Sequence, residues 1–94
     1  MPSIIGNTST SVYLIDYNQG CTLQSFTLVN NTNGSVTANF AINRNGINYK
    51  IIPKDTIINV YEMYVSDTPR QLNANDRALL AVSGSVDYNL SIIN

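Results

Sequence analysis

The chain has 94 residues, a net charge of −1, 44% hydrophobic and 12% charged residues, one cysteine and no histidine. This length makes one domain, 1–94, with one modest core. The scattered basic residues Arg44, Lys50, Lys54, Arg70 and Arg77 form no nucleic-acid-binding stripe, and the lack of histidine removes Ser-His and Cys-His catalytic pairs and the usual zinc ligands.

Polarity is supplied by 14 Asn, 9 Ser and 8 Thr. A surface of amides and hydroxyls has little charge repulsion to hold copies apart, which suits a member of an assembly. A biased genome or a secreted protein would give the same composition.

The first residues, Met1-Pro2-Ser3-Ile4-Ile5-Gly6, lack the charged and apolar regions of a signal peptide, so none is expected. No apolar run approaches the ~20 residues of a membrane span, and no membrane partner is expected. Residues 1–10 read as an extended N-terminal arm. Ser11 to Tyr17 reads as a strand closed by Asn18-Gln19-Gly20. Cys21 to Asn30 is rich in β-branched and aromatic residues and predicts another strand, with Cys21 as a small buried residue. Asn33-Gly34 follows, a strong hairpin signal because both residues tolerate positive φ. Val36 to Asn43 alternates with period two, which places Val36, Ala38, Phe40 and Ile42 on an inward face.

A second Asn-Gly turn, Asn45-Gly46, leads to a short strand from Ile47 to Ile52, broken by Pro53-Lys54-Asp55. Thr56 to Val65 is the longest apolar stretch and is apolar on both faces of an extended chain. It predicts a strand covered on two sides, either central or at an interface between copies. Tyr61 and Tyr64 lie three apart and would point to opposite sides of such a strand. One ring is expected in the core. The other, with Met63 or Val65, is expected at a contact with a neighbouring subunit. Tyr61, Tyr64, Met63 and Val65 are therefore the interface candidates.

Leu72 to Gly84 admits a short helix from Asp76 or a turn followed by a strand. A helix of two turns needs an apolar stripe to dock, and Leu79, Leu80 and Val82 make none. The turn Asn73-Ala74-Asn75-Asp76 followed by a strand from Arg77 to Ser83 is the better reading. Ser83-Gly84-Ser85 then turns into a last strand, in which Val86, Tyr88, Leu90 and Ile92 share a face. Six to eight short strands at regular spacing predict an all-β chain: a single antiparallel β-sandwich, jelly-roll or Ig-like.

No catalytic, cofactor-binding or metal-binding residues are assigned, and no enzyme is expected. Most of the acids Asp16, Asp55, Glu62, Asp67, Asp76 and Asp87 stand in turn contexts, where Asp bonds its own backbone. Asn73-Ala74-Asn75-Asp76 lacks the Gly and distal Glu of a calcium loop. The six tyrosines fit protein interfaces, packing on the sheet, or, beside Asn, a sugar site.

The order of the turns resembles that of small β-sandwich virion proteins of tailed bacteriophages. The residues that carry the likeness are Phe26-Thr27-Leu28-Val29-Asn30-Asn31-Thr32, the strand after it, Ile52-Pro53-Lys54-Asp55-Thr56, and Leu72-Asn73-Ala74-Asn75-Asp76 leading into Arg77 to Val82. Asn75 stands where that pattern usually has Gly, a swap that positive φ tolerates. The resemblance implies a capsid decoration or cement protein, or a neck or tail accessory. Such a protein is made in the host cytoplasm, resides in the virion and acts by protein–protein contact with its own copies, the major capsid protein or other virion proteins. The competing expectation is a carbohydrate- or ligand-binding β-sandwich module that uses Tyr and Asn.

Overall fold

The computed structural model describes residues 3–16 and 19–93, with Asp16 described by its backbone alone. Tyr17 and Asn18, the end of the first expected strand and the start of its turn, lie outside the described residues. The strands are β1 (Ser3–Thr8), β2 (Ser11–Asp16), β3 (Cys21–Asn30), β4 (Val36–Arg44), β5 (Ile47–Lys50), β6 (Thr56–Ile58), β7 (Met63–Ser66), β8 (Arg70–Leu72), β9 (Arg77–Val82) and β10 (Val86–Ile93). They form two antiparallel sheets packed face to face, and the described residues contain no helix. The expected β-sandwich is therefore present, with more and shorter strands than expected.

One sheet runs β1-β10-β3-β7, with β8 also on β3, and the other runs β2-β9-β4-β5, with β6 also on β4. The core lies between them. The inward set Val36, Ala38, Phe40 and Ile42 of β4 is buried, as the period-two pattern requires. It faces Leu23, Phe26 and Leu28 of β3 and Val86, Leu90 and Ile92 of β10, all fully buried. Phe26 and Phe40 meet across the sandwich edge to face, with centroids 4.9 Å apart.

Four sequence expectations are corrected. First, Ser3–Thr8 is no arm but a strand paired with β10 from Ser3↔Ser91 to Thr8↔Val86. Second, Asn33-Gly34 closes no hairpin, because β3 and β4 belong to different sheets and the loop between them is a crossover. Neither residue takes positive φ. The buried Asn30 shapes this loop instead. Its Oδ1 accepts from the N–H and Oγ1 of Thr32, and its Nδ2 donates to the carbonyls of Gly34 (2.7 Å) and Ile58 (2.9 Å). Third, Thr56 to Val65 is not one strand. It leaves one sheet after Ile58 and joins the other at Met63. Fourth, β5 ends at Lys50, short of Ile52.

The other turns follow their chemistry. Asn45 (φ 55°) and Gly46 (φ 82°) join β4 to β5, as a two-residue hairpin with positive φ at both central positions demands. Asn75 sits at φ 67° in the turn before β9. Cys21 is buried, and burial pushes its thiol pKa up, which keeps it protonated and unreactive.

Candidate interaction surface

The break inside Thr56 to Val65 decides where the interface candidates stand. Asn59 to Glu62 is a turn closed by the Glu62 N–H donating to the Asn59 carbonyl at 3.0 Å, and Tyr61 lies at φ 61° in its third position. A type II turn needs positive φ there, a position that Gly or Asn normally fills. Nothing in the residue types of Asn59-Val60-Tyr61-Glu62 marks this beyond the single Asn. The turn is held from outside: the Asn30 N–H donates to the Glu62 carbonyl, and the Asn30 side chain takes the Ile58 carbonyl. A buried amide thus ties both ends of the passage between sheets.

The two tyrosines separate, though not as faces of one strand. Tyr61 projects from the turn and is 84% exposed. Tyr64 points inward from β7, is half-buried, and stacks on Phe26 with centroids 6.1 Å apart. Met63 and Val65 flank it on the outer face and are 59% and 52% exposed. They stand opposite Val29 and Thr27 of β3, which in turn stand opposite Asp87 and Asn89 of β10. The result is an apolar strip of Met63, Val65 and Val29 on the outer face, with Asp87 and Asn89 of β10 as polar neighbours and the exposed Tyr61 in the turn just before β7. Exposed apolar groups rimmed by polar ones are the surface pattern of a contact site. Met63 and Val65 are thus brought to one outer face, Tyr61 stands exposed in the turn before them, and Tyr64 packs against the core beneath.

The other tyrosines bear on sugar binding. Arg77 lies over the Tyr13 ring at 3.9 Å from its centroid, so that face is occupied. Tyr88 is half-buried and lies against Gly6, where a Cβ would fall 2.5 Å from its hydroxyl. Tyr49 and Tyr61 are exposed. A shallow depression of about 260 Å³ opens on the outer face of the second sheet, lined by Thr37, Asn39, Asp55, Ala81, Val82 and Ser83. Among the described residues no tyrosine lines it, and its polar groups already serve one another. Asn39 Nδ2 donates to Asp55 Oδ1, the Asp55 N–H donates to Asn39 Oδ1, and Ser83 Oγ accepts from the Thr37 N–H.

Sequence reasoning missed one ionic contact. Asp76, expected as a turn residue, does accept the Asn73 N–H at 2.7 Å, but it is also buried and paired with Arg44. Among the described residues no group of three His, Cys, Asp or Glu side chains is placed to hold a metal ion. Compared with known protein families and with curated proteins, the chain matches no family model and no curated relative.

Proposed function

We propose that this chain is a non-enzymatic structural protein that works by protein–protein contact, as a capsid decoration, neck or tail component of a tailed bacteriophage particle. The observation that supports contact as its mode of action is the outer surface of β7 and β3. Met63 and Val65 are each more than half exposed at adjacent outward positions of one strand, and the exposed Tyr61 stands in the turn just before it. A protein acting alone would gain solubility from charge at such positions, and this chain has little charge anywhere. The virion assignment rests on the resemblance of the turns, and Asn75 at positive φ fits the place where that pattern has Gly.

The test is to purify particles from the source culture and examine them by mass spectrometry and cryo-electron microscopy. Peptides of this chain should sediment with the particles, and its density should touch neighbouring copies or other virion proteins. Recovery of the chain only in the soluble fraction would overturn the proposal.

A second reading, a carbohydrate-binding module, would use the depression of Thr37, Asn39, Asp55 and Ser83, whose amide, carboxylate and hydroxyls suit sugar hydroxyls. Among the described residues no aromatic ring lines it as a platform for a sugar. Saturable glycan binding that Asn39→Ala abolishes would favour it over the structural reading.

A further inference from the structure

An antiparallel sheet leaves main-chain donors and acceptors unpaired at each edge, and natural sheets usually guard those edges with charge, proline or a bulge. The edges of this sandwich are unequal. β2 has a register shift between Tyr13 and Ile15. β5 carries Lys50, and β6 follows directly on Pro53-Lys54-Asp55. β7 is bounded by Glu62 and Asp67, and β8 begins with Arg70. β1 is the longest of these strands with none of these inside its own span, Pro2 standing just before it in the sequence. Ser3-Ile4-Ile5-Gly6-Asn7-Thr8 is uncharged, contains no proline and pairs with β10 in unbroken register.

The pairing fixes which groups of β1 face outward. The Asn31 N–H donates to the Ser85 carbonyl, which makes residues 85 and 31 a hydrogen-bonded pair. Along the ladder Asp87, Asn89 and Ser91 then turn their main-chain groups to β3, and Val86, Tyr88 and Leu90 turn theirs to β1. Their partners Thr8, Gly6 and Ile4 are thereby satisfied. The N–H and C=O groups of Ser3, Ile5 and Asn7 point away from the sheet.

We infer that β1 is a pairing edge for a second copy of this chain, joined antiparallel about a two-fold axis at Ile5. In that register Ile5 meets Ile5 of the second copy and Ser3 meets Asn7. These are the residues whose main-chain groups face outward, so each pair exchanges both N–H···O bonds. A two-fold contact brings every side chain near its own kind or its symmetry mate, so a charged edge would repel itself. This one offers only Ile, Ser and Asn. Ile5, 72% exposed in the single chain, covers itself across the axis. Asn7 needs no rearrangement, because its Nδ2 already donates to Ser85 Oγ and Asp87 Oδ1, both at 2.8 Å. On the inner face Ile4 of one copy comes to lie beside Gly6 of the other and the Tyr88 ring that covers it. The joined sheet carries both Met63–Val65 surfaces on the same side, so the pair would dock through two sites at once. The inference deepens the structural reading proposed above and rests on it.

One strand pair buries less than the ~1,200 Å² of a stable interface, so the isolated protein should associate weakly and in a concentration-dependent way. Sedimentation velocity of the full chain, from about 10 µM to about 1 mM, measures this. Ile5→Pro removes an outward N–H and leaves the bonds to β10 in place. Ile5→Lys places like charges opposite each other at the axis. The wild-type sedimentation coefficient should rise with concentration, and amide exchange at Ser3, Ile5 and Asn7 should slow in parallel. Both variants should stay monomeric with an unchanged melting temperature. If Ile5→Pro melts early, Ile5→Lys carries the comparison. A wild-type chain that remains monomeric throughout, or an Ile5→Lys variant that associates like wild type, overturns the inference. Finding the chain in particles while it fails this test would leave the structural reading standing and remove only the β1 pairing.

Discussion

Arg44 and Asp76 are joined through two atoms on each side. Arg44 Nε donates to both carboxylate oxygens of Asp76 at 3.0 Å, and Nη2 donates to Oδ2 at 2.6 Å. Arg44 ends β4 at the hairpin, and Asp76 closes the turn before β9, so the pair pins two turns at one end of the second sheet. The hydrogen bonds from Arg44 hold the Asp76 carboxyl below its usual pKa. Burial opposes them, and the Asn73 N–H adds to them. A depressed folded-state pKa means that the carboxylate stabilises the fold above the unfolded value near 3.9, and that this contribution is lost as pH falls through the folded value. Denaturant midpoints should therefore drop below about pH 4. Asp76→Asn should cost roughly 1–3 kcal/mol at neutral pH and flatten that acid limb. A variant with the same acid limb as wild type would show that other carboxylates govern it.

Phe40 is fully buried and meets Phe26 from the opposite sheet. Phe40→Ala should destabilise the chain by about 3–5 kcal/mol, because it removes both the transfer free energy and the only large side chain at that level of β4. Chemical denaturation measures it, and a loss under about 1 kcal/mol would mean that the sheets re-close over the gap.

That inward face of β4 was legible because nothing interrupts its period. β3 was harder, since Ile92 stands opposite Leu23 while Ser91 stands opposite Ser25, so Gln24 is an extra residue. The bulge shifts the buried set from Cys21 and Leu23 to Phe26, Leu28 and Asn30, and no single alternation describes the strand. The Asn-Gly pairs show the same limit. Asn45-Gly46 makes its hairpin, whereas Asn33-Gly34 is overruled by Asn30, a residue three positions earlier whose importance comes from reaching Ile58 in the other sheet. Contacts between residues distant in the chain decide such cases, and the interface candidates were misplaced on one strand for the same reason. The Met63 and Val65 surface was still foreseeable, because an apolar stretch too long for one small core must leave part of itself outside.

Asn30 gives a direct measure of that long-range control. It is 4% exposed, and its side chain bonds Thr32, Gly34 and Ile58. Asn30→Ala would leave the Ile58 carbonyl without its side-chain donor, while the Gly34 carbonyl keeps the Thr32 hydroxyl. The expected loss is roughly 1–3 kcal/mol for the group left buried and unbonded, well above that of a surface Asn. Asn30→Asp should be damaging too, since a carboxylate cannot donate to either carbonyl. If both variants melt within a degree of wild type, water has replaced the amide and the loop does not depend on it.

Tyr64 should differ from its neighbours in what its loss costs. Its ring stacks on Phe26 and is half-buried, so Tyr64→Ala should cost about 1–2 kcal/mol in stability. Tyr61 contributes little to the fold. Its side chain is 84% exposed, and its backbone sits at φ 61°, where a non-glycine residue costs about 1–2 kcal/mol. Tyr61→Gly relieves that strain but loosens the unfolded chain by a smaller amount, so its melting temperature should hold or rise slightly. Met63→Lys with Val65→Lys changes two exposed outward positions and should move stability by no more than about 0.5 kcal/mol per site. If the surface docks the chain, Tyr61→Gly and the double lysine variant should lose incorporation into particles while remaining folded, and Tyr64→Ala should lose stability first. Thermal melts and particle incorporation, measured on the same preparations, distinguish these outcomes. Full incorporation of the double lysine variant would show that the chain is held through another surface.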